Sequence, residues 1–318
     1  MNAFARLVGQ RINGSWGSMT VRPISAAVGA ALCLLGFGAA GTALADPVTV
    51  PAFDEGKLLL TGGVTTVEGS GGGGISTWST ITGYETRDGI GANVHATYVK
   101  VPDFSLRAYG ASVGLYDRVE LSYQRQEFDT GRTGGKLGLG DGFTFNQDVF
   151  GAKVRLVGDL VYDQDSWLPE IAVGAQYKKN DKGAIIHAVG GRSDHGTDYY
   201  ISATKLFLGQ SLLVDATLRA TKANQLGLLG FGGDRNNSYK AEFEGSVGYL
   251  LSKRLVIGAE YRSKPNNLGF AKERDWYDVY AAYALNKHLS LTAAYADLGP
   301  IATFQNQRGL YLSLQAGF

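Results

Sequence analysis

The chain has 318 residues, with 30 Lys plus Arg against 29 Asp plus Glu, a formal charge of +1 that supplies no field for nucleic acid. Hydrophobic residues make up 44% and charged residues 19%, and a mean hydropathy of -0.07 excludes a bundle of membrane helices. With 45 Gly, 17 Tyr and 14 Phe but 7 Pro, the composition favours strands joined by glycine-bearing turns.

Residues 26 to 45 form an apolar run that follows Arg22 and ends in Ala43-Leu44-Ala45, the small-x-small pattern of a signal peptidase site, ahead of Asp46-Pro47. Residues 1–45 are therefore expected to be a cleaved signal peptide. A retained membrane anchor is the alternative, but the run is rich in Ala and Gly and breaks at Asp46-Pro47. Met19 is the second of two methionines and a possible translation start, since the stretch before it is long and polar for a leader. Cys33, the one cysteine, sits between Leu32 and the apolar Leu34, Leu35 and Phe37, which suits the centre of the apolar run better than a lipidation site. Cleavage removes Arg6, Arg11 and Arg22 with no acid, so the mature chain is slightly acidic and has no disulfide.

Residues 46–56 are expected to be a short periplasmic segment, and 57–318 a barrel. From Lys57 onward no window holds the roughly 18 apolar residues of a spanning helix, and segment after segment alternates with period two. Candidate strands are 57–67, 75–84, 89–100, 104–115, 118–129, 145–158, 168–179, 197–208, 211–222, 239–250, 254–262, 275–285, 288–298 and 308–318. The expected fold is all-β: a transmembrane antiparallel β-barrel of about 14 strands, an even number as single-chain bacterial barrels need. Twelve is the alternative, because the first two candidates flank the run Gly69 to Gly74, which would serve equally as a flexible strap or an inward-folded plug.

In the last strand Leu310, Leu312, Leu314, Ala316 and Phe318 share one face, opposite Tyr311, Ser313, Gln315 and Gly317. Residues 240–250 set Ala241, Phe243, Val247 and Tyr249 against Lys240, Glu242, Glu244 and Ser246. Links are short at Tyr116-Asp117, Gly209-Gln210, 251–253 and 285–287, and long at 130–144, 180–196, 223–238 and 263–274. A soluble sandwich has no reason for such alternation. An outer-membrane barrel requires closure and has short periplasmic turns with longer outer loops. Aromatics near strand ends, Tyr199, Tyr200, Tyr239, Trp276 and Tyr277, fit interfacial girdles.

Parity assigns a charged inner face comprising Glu120, Lys153, Arg155, Glu170, Lys178, Asp215, Arg219, Lys240, Glu242, Glu244, Glu260 and Arg262. Such a face either neutralises itself across a filled interior or lines a water path. Two arrangements are weighed as catalytic. Asp194, His195 and Asp198, near His187 and Asp181, would place a base beside carboxylates in an outer loop. His95 shares a strand face with Asn93 and Thr97, where a hydroxyl partner is conceivable. Ordinary loop polarity and a hydrogen-bonded lumen histidine account for both more simply. The glycine run lacks the Lys-Ser/Thr of a phosphate loop, and four His with no mature Cys give no recognised zinc spacing. No cofactor is expected.

The terminal Phe318 with Tyr311 resembles the C-terminal signature of Gram-negative outer-membrane barrels, which implies recognition by the barrel assembly machinery. Leu58 to Gly63, the run Glu68 to Gly74 and the segment Val113 to Ser122 (VGLYDRVELS) resemble an uncharacterised family of proteobacterial outer-membrane proteins, known only as a domain of unknown function. That resemblance covers most of the mature chain and implies fold and location, with outer-membrane lipid and lipopolysaccharide as surroundings, but no reaction. A passive channel or transporter for small solutes is the leading functional expectation. A structural or surface-interaction barrel and an outer-membrane hydrolase are the alternatives.

Overall fold

The computed structural model describes residues 56–62 and 64–318; the cleavage-site residues Ala43, Ala45 and Asp46 lie outside them. Twelve strands run in chain order: β1 Ile90–Lys100, β2 Ser105–Leu115, β3 Val119–Asp129, β4 Thr144–Val157, β5 Glu170–Asn180 and β6 His195–Phe207, then β7 Leu212–Thr221, β8 Lys240–Ser252, β9 Leu255–Arg262, β10 Trp276–Ala284, β11 Leu289–Asp297 and β12 Arg308–Gly317. Each pairs antiparallel with its neighbours, and β1 pairs with β12, from Asn93 opposite Gly317 to Lys100 opposite Leu310, so the sheet closes. Closure leaves no strand edge, as a lipid environment demands.

The twelve later candidate strands match these elements to within about two residues, inside the usual uncertainty of strand ends. The first two do not form strands. Residues 56–88 instead fold into the lumen as an irregular plug, stitched by the bridges Thr65 to Gly71 and Gly72 to Thr77. Their Thr, Val and Ile suit a packed surface as well as a strand, and the glycines decide between the two. Gly69 has φ +85°, and a Cβ would lie 1.9 Å from Gly83 O on Gly62 and 2.4 Å from Ser76 O on Gly72, so the plug's backbone folds on itself more closely than a side chain allows.

Alternation divides the wall as parity requires. Leu310, Leu312, Leu314 and Phe318 are exposed outside, while Tyr311, Ser313 and Gln315 are buried inside. On β8, Phe243, Val247 and Tyr249 face outward, with Glu244 and Ser246 buried. Among the described residues no helix is long and apolar enough to cross a membrane. The turns β2–β3, β6–β7, β8–β9 and β10–β11 are short and share the end that holds the C-terminus; the long connections gather at the other end, where helices α1 (Thr133–Lys136) and α2 (Gly183–Ala188) fold over the opening. Two links break the rule: 101–104 is short at the long-loop end, and 158–169 is long at the short-turn end.

The aromatic girdle differs in part from expectation. Tyr199, Tyr239 and Tyr277 are exposed, but Tyr200 and Trp276 are buried in the lumen, since successive residues of a strand point to opposite faces. Outward tyrosines near the long-loop end hydrogen-bond polar neighbours, Tyr109 to Glu127 at 2.9 Å, Tyr123 to Asp148 at 2.9 Å and Tyr261 to Asp275 at 2.6 Å. Apolar ring bodies with engaged hydroxyls suit a boundary between hydrocarbon and headgroups.

Phe318 ties the seam: its N–H donates to Ala92 O at 2.8 Å, and its carbonyl accepts from Ala92 N and Tyr84 N, each at 3.0 Å. Deleting Phe318 should reduce the folded fraction, seen as loss of the mobility difference between heated and unheated samples on a detergent gel. Val247→Arg on the outer face should cost about 2–4 kcal/mol if it sits near the midplane of the bilayer, whereas Ser246→Ala on the lumen face should cost far less. Denaturant titration in lipid vesicles separates the two, and equal effects would contradict the assignment of faces.

Candidate functional site: a plugged, charged lumen

Inside a closed sheet, every wall N–H and C=O is already paired by strand ladders, so a segment entering the lumen must find its partners among side chains. The plug does so. Glu120 on β3 accepts from Ser70 Oγ at 2.9 Å, from the Gly71 N–H at 3.1 Å and from the Thr82 N–H at 3.0 Å. Lys153 on β4, 3.1 Å from Glu120, donates to the carbonyls of Gly71, Trp78 and Thr80. Glu260 accepts from the Ile75 N–H at 2.8 Å, Glu244 from Thr77 N–H at 2.9 Å, and Thr204 from Ser79 N–H at 2.8 Å.

The plug also contributes one charge of its own at the centre. Glu68, wholly buried, pairs with Lys178 and with Arg262 at 2.6 Å, and lies 3.9 Å from Arg219. Asp198 meets Lys178 at 2.6 Å, and Glu244 pairs with Arg219 and with Arg262 at 3.3 Å. Three carboxylates thus face three cations. Burial by itself would raise the Glu68 carboxyl, but the fields of Arg262, Lys178 and Arg219 outweigh it and hold the group well below the usual carboxylate range. With the folded value depressed, this stabilisation is present above the ordinary value of 4.5 and is lost only as acid takes the pH well below it.

A second ionic group anchors the foot of the plug. Lys57 pairs with Glu85 at 3.2 Å and Asp117 at 2.8 Å, and Arg155 reaches Asp117 at 2.7 Å and Glu170 at 3.2 Å. These groups border a polar cleft of about 310 Å3 at the short-turn end. Of the inner-face residues read from parity, Asp215 is buried and accepts from Ser76 Oγ at 3.1 Å. Lys240 and Glu242 instead stand at the long-loop lip, exposed and half-exposed. Alternation does not mark Glu68 or Asp117, which lie outside the candidate strands, and assigns no plug role to Thr77 within the candidate 75–84. The one signal for Glu68 is its place as the only acid beside the glycine run.

The loop residues weighed as catalytic are dispersed. His195 Nδ1 lies 2.7 Å from Asp194 and 3.3 Å from Ser193 Oγ on the surface, both on one ring nitrogen, while Asp198 points into the lumen. Asp181 engages Asn146 and Lys182, and His187 Nδ1 lies 3.1 Å from Gly191 O. His95 is buried between Asn93 Oδ1 at 3.1 Å and Gln124 Oε1 at 2.6 Å, and Thr97 pairs with Ser313 at 2.7 Å, so no hydroxyl meets that ring. Tyr311 faces the lumen 3.5 Å from Thr65 O, unlike its outward neighbour in the terminal signature, Phe318.

Glu68→Ala should strip the central cations of their shared partner and lower stability by about 3–5 kcal/mol, the usual result of breaking a buried pair from one side. Thermal unfolding of the purified barrel reads this directly. An unchanged transition would mean that Glu68 does not hold the plug.

Among solved structures the chain is similar to a KdgM porin, at 12% identity over 71% of this chain and 99% of that one with a TM-score of 0.47. It is also similar to the NanC porin in a rhombohedral crystal form, at 10% identity over 71% and 98% with a TM-score of 0.45. A third likeness is to outer membrane phospholipase A from Escherichia coli, at 12% identity over 74% and 93% with a TM-score of 0.38. No curated protein matches the chain. Residues 61–315 match the family described as "Protein of unknown function (DUF3034)", a span from the plug to the last strand, and the chain belongs to that family.

Proposed function

We propose that this chain is an outer-membrane barrel that acts as a gated conduit for small solutes, closed in the form described here by residues 56–88. The observation that carries this reading is the chemistry of the contact between plug and wall. Although Val67, Ile75 and Trp78 add apolar contacts, the centre of it consists of ion pairs and hydrogen bonds around Glu68, Glu120 and Lys153. Charged groups can exchange such partners for water, whereas an apolar plug surface would lose its burial on release. The closed sheet, the apolar outer face and the signal-peptide pattern expected of residues 1–45 support placement in the outer membrane. The charges that remain on the wall once the plug leaves would line a water path and select among ions.

Recording from planar bilayers tests the conduit. The wild-type barrel should conduct weakly or in brief openings. Glu68→Ala and Gly73→Leu, which loosen the plug by charge and by shape, should conduct steadily. In that open background Glu242→Gln at the lip should shift selectivity toward anions. Silence from folded Glu68→Ala, Gly73→Leu and a variant lacking residues 57–85 would favour a structural or surface-interaction barrel instead. Placement is checked by N-terminal sequencing of outer-membrane fractions, where Asp46 should be the first residue.

A further inference from the structure

The lumen changes character above the plug. Between the plug and the long loops lies a cavity of about 70 Å3, several times the roughly 10–15 Å3 that one water requires. Val67 and Ile75 of the plug form its floor, and Phe104, Phe145, Leu226 and Trp276 stand among its walls. The polar groups that border it are already engaged. Gln225 donates to Pro300 O at 3.0 Å and accepts from Lys264 at 3.2 Å, and its N–H donates to Glu273 at 3.0 Å. Thr130 Oγ1 donates to Phe143 O at 2.7 Å. Among the lining residues, the indole N–H of Trp276 is the one buried side-chain donor or acceptor without a partner, and Lys264 lies over its ring at 4.3 Å.

We infer that this cavity binds a small, uncharged, mainly apolar molecule of a few heavy atoms, below the size of a benzene ring, with no more than one hydrogen-bond acceptor. An apolar cavity gives water too few partners to stay filled and takes apolar guests of matching size. A charged guest would lose its hydration against walls that offer no counter-charge. One acceptor would satisfy the Trp276 N–H, while a second would stay unpaired at a cost. The floor gives binding a mechanical reach, since Val67 adjoins Glu68 and its carbonyl accepts from Gln124 and Gln126. Binding names the solute class of the conduit and rests on that reading for passage alone.

The test uses the mature folded barrel in lipid nanodiscs with Trp78→Phe and Trp167→Phe, leaving Trp276 as the sole reporter of the described residues. Titration with dissolved xenon, a heavy atom that quenches indole emission, should give a saturable curve, whereas acetate should compete weakly or not at all. Ala296→Phe fills the cavity from β11 and should reduce the curve to the linear slope of bilayer partition. If that variant fails to fold, Val101→Phe fills the same space from the loop after β1. A linear curve in the unfilled barrel, or a saturable curve unchanged by filling, would overturn the site, and effective competition by acetate would overturn the ligand class. Saturable quenching in a barrel that never conducts would keep the site and remove the conduit; steady conduction without saturable quenching would remove the site alone.

Discussion

A peptide segment drawn into a closed barrel brings unpaired N–H and C=O groups to a wall whose own backbone has none to offer. That constraint shapes the rest of the molecule. Each backbone group of the plug needs either another plug residue or a wall side chain, and leaving one unmade inside costs its full desolvation. Glu120, Lys153, Glu244, Glu260 and Thr204 are placed on five different strands to meet it. The charged inner face is thus a set of sockets for one irregular chain. Its mixed signs follow from the dual nature of the backbone, since N–H groups call for carboxylates and carbonyls call for Lys and Arg.

The twelve strands are legible in the sequence because alternation with period two survives wherever one face meets lipid and the other meets polar groups. The connection lengths are legible for the same reason, since the two barrel ends face different surroundings. The plug is legible only as an ambiguity. Its Thr, Val and Ile satisfy a strand reading, and what rejects that reading is a tertiary fact, the close backbone approach of Gly62 to Gly83 and of Gly72 to Ser76. Parity identifies which side of the wall a charge occupies but not its depth, so Lys240 and Glu242 at the lip read like the buried Glu244 two residues on. The girdle shows the same limit from the other side: Tyr200 and Trp276 have the right composition and the wrong parity.

The apolar space above the plug has no sequence period at all. Its lining comes from the upper ends of strands, the plug and six loops, each giving one to a few side chains. Leu226, Leu228 and Phe231 look misplaced in a polar outer loop until that loop turns inward over the opening, where all three are buried. Loops of this kind act as a roof with an apolar underside, which explains why a chain with so polar a lumen still buries a substantial apolar cluster.

The last residue touches both ends of the folding problem. Phe318 bonds Ala92 at the start of β1 and also receives Tyr84 at the foot of the plug, while Tyr311 reaches Thr65 across 246 positions of sequence. Contacts so far apart are slow to form, because loop closure must precede any reward from them. The plug precedes every strand in the chain while some of its partners lie on the last strand. The wall must close around a guest already in place, or admit it through a mouth that its own loops have not yet roofed over. Either way, seating the plug and closing the seam meet at one residue, because the Phe318 carbonyl accepts from both Tyr84 and Ala92.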